Sequence, residues 1–233
     1  KLEALVRVLE VEKTEGIIIF VRTRNSCVEL AEKLEARGYA SSPLHGDMNQ
    51  QARERAVDQL KRGKLDIIIA TDVAARGIDV DDVEMVINYD IPQDDEYYVH
   101  RIGRTGRAGR SGKAVSLVCG SNDRKRMEGI ARFAKVKIPQ KQLPSQTEID
   151  NMRHDSFIES FSLEMEKPAG DEYFKLLDSL KSKGYDERKI IATLLRMSLD
   201  KNKTKEVKSV QNETRSSGAK DANMVRFFVN VGK

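Results

Sequence analysis

Tryptophan is absent from the 233-residue chain, and aromatic residues make up only 6% of it. That argues against a large base-stacking platform and directs any nucleic-acid contact to the backbone. Cysteine occurs twice, at Cys27 and Cys119, in no CxxC or metal-ligand spacing. Two buried thiols in a reduced compartment are expected. The longest apolar run, Ile17 to Val21, is far too short to cross a bilayer. No signal peptide is visible, so a cytoplasmic protein with no membrane partner is expected. There is no GxxxxGK[ST] phosphate loop: Gly112-Lys113 is followed by Ala114 and lacks the upstream glycine. No repeat of solenoid period occurs. The chain opens on Lys1 rather than Met and reads as a fragment. Its net charge of +4 is an average over opposing blocks, so local clustering of cations carries more information than the total.

The length allows one full domain and a smaller one, and the 39% hydrophobic content allows a core. Over the first ~140 residues, short β-branched runs alternate with amphipathic segments. Strands are predicted at Gly16–Thr23, Ser42–Leu44, Leu65–Thr71, Met85–Tyr89 and Ala114–Cys119. The runs Ile17-Ile-Ile19 and Ile67-Ile-Ile69 suit strands covered on both faces. Helices are predicted at Asn25–Arg37, ended by Gly38, and at Gln50–Lys61. This rhythm predicts a parallel sheet with helices on both faces, whose chemistry gathers at the carboxyl ends of the strands. Thr23, His45-Gly46-Asp47, Thr71-Asp72 and Asp90 fall there.

After Lys137 the texture changes. Pro139 and Pro144 bracket a polar link, and helical patterns follow at Glu148–Glu166, Asp171–Lys183 and Asp186–Asp200. Gly184 suits a C-cap and Asp186 an N-cap. Residues 201–223 are polar and read as a flexible linker. Residues 224–233 return to a strand-like alternation with no partner strand in view, as if opening a further domain.

The densest chemistry is His100-Arg-Ile-Gly-Arg-Thr-Gly-Arg107, three guanidiniums within eight residues on a glycine-rich backbone. No Asp or Glu occurs between Tyr97 and Lys113. Planar, permanently charged forks suit a nucleotide γ-phosphate or a phosphodiester backbone. Glycines 103, 106, 109 and 112 keep a period of three, but without proline they cannot make a collagen helix. A disordered Arg-Gly tail is also disfavoured, because a predicted helix (Glu96–Ile102) and strand flank the run. Upstream lies Thr71-Asp-Val-Ala-Ala-Arg-Gly-Ile-Asp79. Residue by residue this is a strand end and an Ala-rich helical turn. A third segment, Leu44-His-Gly-Asp-Met-Asn-Gln-Gln-Ala-Arg53, places Gln50 and Arg53 one turn apart at a helix start, where phosphates bind readily.

The first two strings, in this order, closely resemble motifs V and VI of the DEAD-box RNA helicases. The third resembles that family's HGD segment with its QxxR, and Phe20-Val-Arg-Thr-Arg-Asn25 resembles motif IV. The resemblance implies an α/β fold, a RecA-like parallel sheet flanked by helices, over residues 1–138. It implies an ATP-dependent RNA helicase (ATP hydrolase) as the full-length enzyme. Arg104 and Arg107 would be arginine fingers to the γ-phosphate, and His100 would couple the nucleotide and RNA sites. Arg76, Gly77 and Asp79 would serve ATP. Thr23, Gly46, Gln50, Arg53 and Thr71 would contact RNA. Arg101 either joins this chemistry or only holds the fold through an ion pair. The DEAD tetrad is missing along with the phosphate loop, so Mg²⁺ and the triphosphate would be held by an absent N-terminal RecA-like lobe, and this chain alone is expected to be inactive.

Within the helical module, residues 139–200, the segment Glu148–Asp200 carries many apolar positions, but about fifty residues bury too little surface to be comfortable alone. They either dock on the first lobe or pair two copies. Bacterial cold-shock (CsdA/DeaD-like) DEAD-box helicases have this order: core, helical dimerisation module, then an RRM-like RNA-binding domain, for which residues 224–233 would be the start. By that resemblance a small all-α dimerisation module and a homodimer are expected, with ribosome assembly, mRNA turnover or cold adaptation as settings. The rival readings are a superfamily 2 motor acting on DNA and a non-catalytic dimeric RNA-binding scaffold.

Overall fold

Two triplets of isoleucine set the centre of the first unit. In the computed structural model, which describes residues 1–12, 16–76, 83–107, 111–201 and 225–232 (200, 201 and 225–232 by their backbone alone), they form β1 (Ile17–Phe20) and β3 (Ile67–Ala70). Every residue of both strands is buried. They pair in parallel, Ile17 opposite Ile67 through Phe20 opposite Ala70. β2 (Ser41–Leu44) flanks β3, and β4 (Met85–Asn88) and β5 (Gly112–Cys119) follow on the other side, all parallel. The α/β expectation, a RecA-like parallel sheet flanked by helices, is met.

Alternation along each strand splits the core. Ile17 and Ile19 face one way, towards α1 (Leu2–Glu12) and α2 (Arg24–Glu35), through Leu5, Val8, Leu30 and Leu34. Ile18 and Phe20 face the other, towards Ala56, Val57 and Leu60 of α3 (Gln50–Lys61) and Ala74 and Ala75 of α4 (Asp72–Ala75). Each such isoleucine, fully withdrawn from water, contributes about 1.5–3 kcal/mol. α5 (Asp95–Ile102) and α6 (Gly120–Phe133) meet through Tyr98, Met127 and Ile130.

Helix α3 matches its predicted bounds residue for residue, and Asn49 caps it by accepting from the Ala52 amide. Gly38, just past α2, takes φ +89°, the left-handed turn a side chain would resist.

The sheet is larger than the parallel strands alone. β6 (Gln140–Lys141) and β7 (Val225–Gly232) extend it, in the order β2-β3-β1-β4-β5-β7-β6. The strand-like pattern near the end of the chain is thus a strand, but not one without a partner. β7 runs antiparallel to β5 over eight rungs, Gly112 opposite Gly232 to Cys119 opposite Val225. Of the stretch read as a linker, only Lys201 is described, and it ends a helix.

The expectation of two buried thiols is corrected. Cys27 is buried and its Sγ–H donates to the Ile69 carbonyl at 2.8 Å. Cys119, at the last rung of β5, is exposed. Strand ends lie at the surface, and the apolar texture of Leu117-Val118 conceals that limit.

The second unit holds α7 (Gln146–Met165), α8 (Asp171–Ser182) and α9 (Glu187–Lys201). Ser145 and Glu148 form a reciprocal capping box at the start of α7, and those hydrogen bonds hold the Glu148 carboxyl below its ordinary range. Asp186 caps α9 by accepting from the Lys189 amide at 3.0 Å. Gly184 takes φ +84° before it. No residue of α8 is buried.

Candidate functional site

Thr23, His45-Gly46, Thr71 and Asp90 lie just past the carboxyl ends of β1, β2, β3 and β4. Adjacent strands are about 4.8 Å apart, so these termini form one short row across the sheet edge. Each is spent partly on local structure. Thr23 caps α2, accepting from the Ser26 amide at 3.1 Å. Thr71 opens α4 with no side-chain cap bond, its own amide held by the Leu44 carbonyl at 3.2 Å. Asp90 accepts from the Arg22 amide and from Lys1, at 3.0 and 3.3 Å, and so ties two loops together.

Beside this row, α3 presents Gln50 and Arg53. Gln50 is exposed and donates to Glu54 at 2.8 Å. Arg53 donates from Nη2 to the Gly46 carbonyl at 3.0 Å, which draws the HGD loop onto the helix start. Its buried Nε and the buried Nδ1 of His45 have no hydrogen-bond partner among the described residues. Thr23, Gly46, Gln50, Arg53 and Thr71 are thus brought to one edge.

The centre of the site is Arg101. It is 3% exposed, an unusual place for a cation. Its Nε and Nη2 donate to the two carboxylate oxygens of Asp72 at 2.6 and 2.8 Å. Nη1 donates to Asn88 Oδ1 at 3.0 Å and to the Asp90 carbonyl at 2.7 Å. The guanidinium also lies 5.0 Å from the Phe20 ring centroid. Asn88 passes the network on, donating to Ser116 Oγ at 3.1 Å. Of the two readings open for Arg101, the geometry takes the ion pair. It binds the Thr71–Arg76 turn, the end of β4 and α5 into one piece.

Around that piece lies an open cleft lined by Phe20, Asp72, Arg76, Tyr97, His100 and Arg104, among others. Arg76 sits with its guanidinium 4.5 Å from the Tyr97 ring centroid, a cation–π contact that holds it at the rim. Asp72 is the one acid of the lining, and Arg101 already occupies it. The cleft is therefore net basic. Arg107 is not among its lining residues; its Nε donates to Gly103 O at 2.6 Å. Gly77 and Asp79 lie outside the described residues. Among those described, no group of three His, Cys, Asp or Glu could hold a metal ion.

The arginine loop is cinched at its base. Val83 donates to the Arg104 carbonyl, and Thr105 Oγ1 donates to the Glu84 carbonyl. Gly106 takes φ +69°, and a Cβ on Gly112 would stand 2.2 Å from the Gly106 nitrogen. Only glycine fits at 112.

Comparison with known proteins shows the family and the fold. The profile of the helicase conserved C-terminal domain matches residues 1–109. The ATP-dependent RNA helicase DeaD of Buchnera aphidicola subsp. Acyrthosiphon pisum is 50% identical over 198 residues, 84% of this chain and 33% of that protein. The E. coli DEAD-box protein SrmB, solved bound to regulator of ribonuclease activity A, is 38% identical with a TM-score of 0.55 over 63% of this chain and 93% of that one. The chain belongs to the DEAD-box RNA helicase family. It carries the family's C-terminal RecA-like domain. S. cerevisiae Dbp5 bound to RNA and ADP BeF3 is 38% identical, with a TM-score of 0.53 over 57% of this chain and 35% of that one. The chain spans about a third of the length of the curated DeaD relatives it matches.

Within this DEAD-box lobe, sequence reasoning set Asp72 at the strand-end edge but missed its partner, and it missed Asn88, Tyr97 and Gly112. Asp72 lies 29 residues from Arg101, and no spacing rule joins them. Gly112 had a signal, the three-residue glycine period, but not its reason, which is backbone meeting backbone.

Proposed function

We propose that this lobe is the arginine-donating half of an ATP-dependent RNA clamp. The observation that carries the reading is the basic cleft of Arg76, His100 and Arg104, joined through Arg101 to the strand ends at Thr71-Asp72 and Asp90. A basic rim whose one carboxylate is already paired suits a polyphosphate. ATP, when bound between this lobe and the N-terminal lobe, supplies a transferable γ-phosphoryl group. Arg104 and Arg107 would set guanidinium charge against it on lobe closure, Arg107 giving up its contact to Gly103. Such fingers are worth about 10³–10⁵ in rate, or roughly 4–7 kcal/mol of barrier. Arg76, Gly77 and Asp79 would hold the nucleotide, and His100 would link it to the RNA row. Mg²⁺ is assigned to the N-terminal lobe. This chain by itself is then inactive.

Thr23, Gly46, Gln50, Arg53 and Thr71 would grip one RNA strand by its phosphates. That predicts little sequence preference and steep salt dependence. Bending the gripped strand would part a short duplex. The helical unit would pair two copies: Leu163, Met165, Tyr173, Leu176 and Leu194 are each 58–69% exposed, an extensive apolar surface for a unit of this size.

The test restores the N-terminal lobe and measures ATP turnover with RNA and with DNA. RNA-specific stimulation supports the clamp. Equal stimulation by DNA would favour a DNA motor, and no turnover would favour a dimeric RNA-binding scaffold.

A further inference from the structure

Helix α6 starts at the carboxyl edge of the sheet, directly after β5, and runs back along it for 14 residues, about 20 Å. Met127 and Ile130 turn inward, and Ile138 returns the chain to the same core. The helix and the segment that follows it are basic. Residues 124–141 hold seven cations against one carboxylate, Glu128, in a chain whose whole net charge is +4. Three cations are engaged: Arg124 with Glu128, Arg126 with Asp95, and Arg132 with the Glu128 carbonyl. Lys125, Lys135, Lys137 and Lys141 are exposed, and their ammonium groups have no ion-pair or hydrogen-bond partner among the described residues.

Two features set this surface apart from an ordinary solvated helix face. Phe133, the last residue of α6, is 52% exposed. And Lys135 holds a left-handed φ of +53°, the one non-glycine residue to do so among those described. It closes α6 in a Schellman turn, with Lys135 N–H to Arg132 O and Val136 N–H to Ala131 O. Glycine is the ordinary choice at that position. The helix dipole favours cations in the last turn, but it does not reach Lys137 or Lys141 and does not expose a ring.

We propose that the end of α6 is a second RNA-docking surface, on which Lys135, Lys137 and Lys141 bond phosphates of a single strand and Phe133 stacks on a base. Charge complementarity selects a polyanion, and the exposed ring selects unpaired bases over a duplex. The inference rests on the RNA reading above: a strand gripped at the carboxyl edge and continuing along α6 reaches this end.

Fluorescence anisotropy of the 233-residue chain with labelled 20-mer and 6-mer oligouridine, across a salt series, tests it. The 6-mer reaches one surface and the 20-mer both. The triple variant Lys135→Gly/Lys137→Gln/Lys141→Gln should lower the 20-mer's salt slope by about 2, at roughly 0.7 per phosphate contact. It should also cut the 20-mer's advantage over the 6-mer about tenfold. Phe133→Ala should cut that advantage about fivefold or more, and Phe133→Tyr should restore it, which keeps the test sharp if the triple variant folds poorly. An unchanged advantage in Phe133→Ala, or equal weakening of both oligomers, overturns the proposal and leaves the surface to an acidic protein. Gln50→Ala/Arg53→Ala separates the two readings. If it leaves both oligomers bound as before while the α6 variants weaken the 20-mer, the clamp assignment fails and the α6 surface stands.

Discussion

Replacing Asp72 by alanine is the most informative single change in this lobe. Arg101 is 3% exposed and Asp72 26%, so the substitution strands a guanidinium where water cannot replace its partner. Breaking a buried pair from one side costs about 3–5 kcal/mol. The contacts to Asn88 Oδ1 and the Asp90 carbonyl remain, but neither is an anion. At about 2–4 °C per kcal/mol for a domain of this size, the melting temperature should fall by roughly 6–20 °C. Asp47→Ala supplies the contrast. Its pair with Arg24 is as short, 2.6 Å, but both side chains are more than half exposed, so it should cost under about 1 kcal/mol. Urea unfolding followed by circular dichroism measures both. Arg101→Met and the double variant complete a cycle, with a coupling of about 2–3 kcal/mol expected. If Asp72→Ala loses less than about 1 kcal/mol, Arg101 is not held as argued here, and the link between the cleft and the strand-end row goes with it.

Other outcomes are expected. In the protein with its N-terminal lobe restored, Arg107→Ala should lower RNA-stimulated ATP turnover at least about 10³-fold while RNA binding stays close to native; survival of turnover within a few-fold would refute the finger assignment. A thiol reagent should label Cys119 quickly in the folded chain and Cys27 only on unfolding. Burial pushes the Cys27 thiol from 9.0 up to about 11. The unfolded chain therefore deprotonates first, so this contribution is intact below about pH 9 and is lost as pH rises from there to 11. The loss is about 2–3 kcal/mol, and a Cys27→Ala variant should lack that alkaline step in its unfolding free energy. Light scattering at micromolar concentration should return twice 26.3 kDa for the chain, and a truncation after Pro144 should return a monomer; a monomeric full chain would contradict the pairing of helical units.

The parts of the fold legible in the sequence are those set by short-range pattern. Ile17-Ile-Ile19 and Ile67-Ile-Ile69 could only be strands covered on both faces, and Asn49 before Gln50 marked the start of α3. Helix α6 was hidden because Arg124-Lys-Arg126 interrupts the apolar stripe that Met127 and Ile130 carry. β7 was legible as a strand but not as a neighbour of β5, since pairing over a hundred residues apart leaves no local trace. At the site, motif residues were visible as types in a row. What joins them was not, because Asp72, Asn88 and the Asp90 carbonyl meet Arg101 only after the sheet has formed.

The meeting of Gly112 with Gly106 has a practical corollary. Arg104 and Arg107 flank a point where main chain meets main chain, so the backbone that carries them is set before any rotamer is chosen. Swapping a longer or shorter cation into the crown would not correct a loosened knot, and a graft of this loop onto another scaffold would need the bare glycine at its exit as much as the charges it displays.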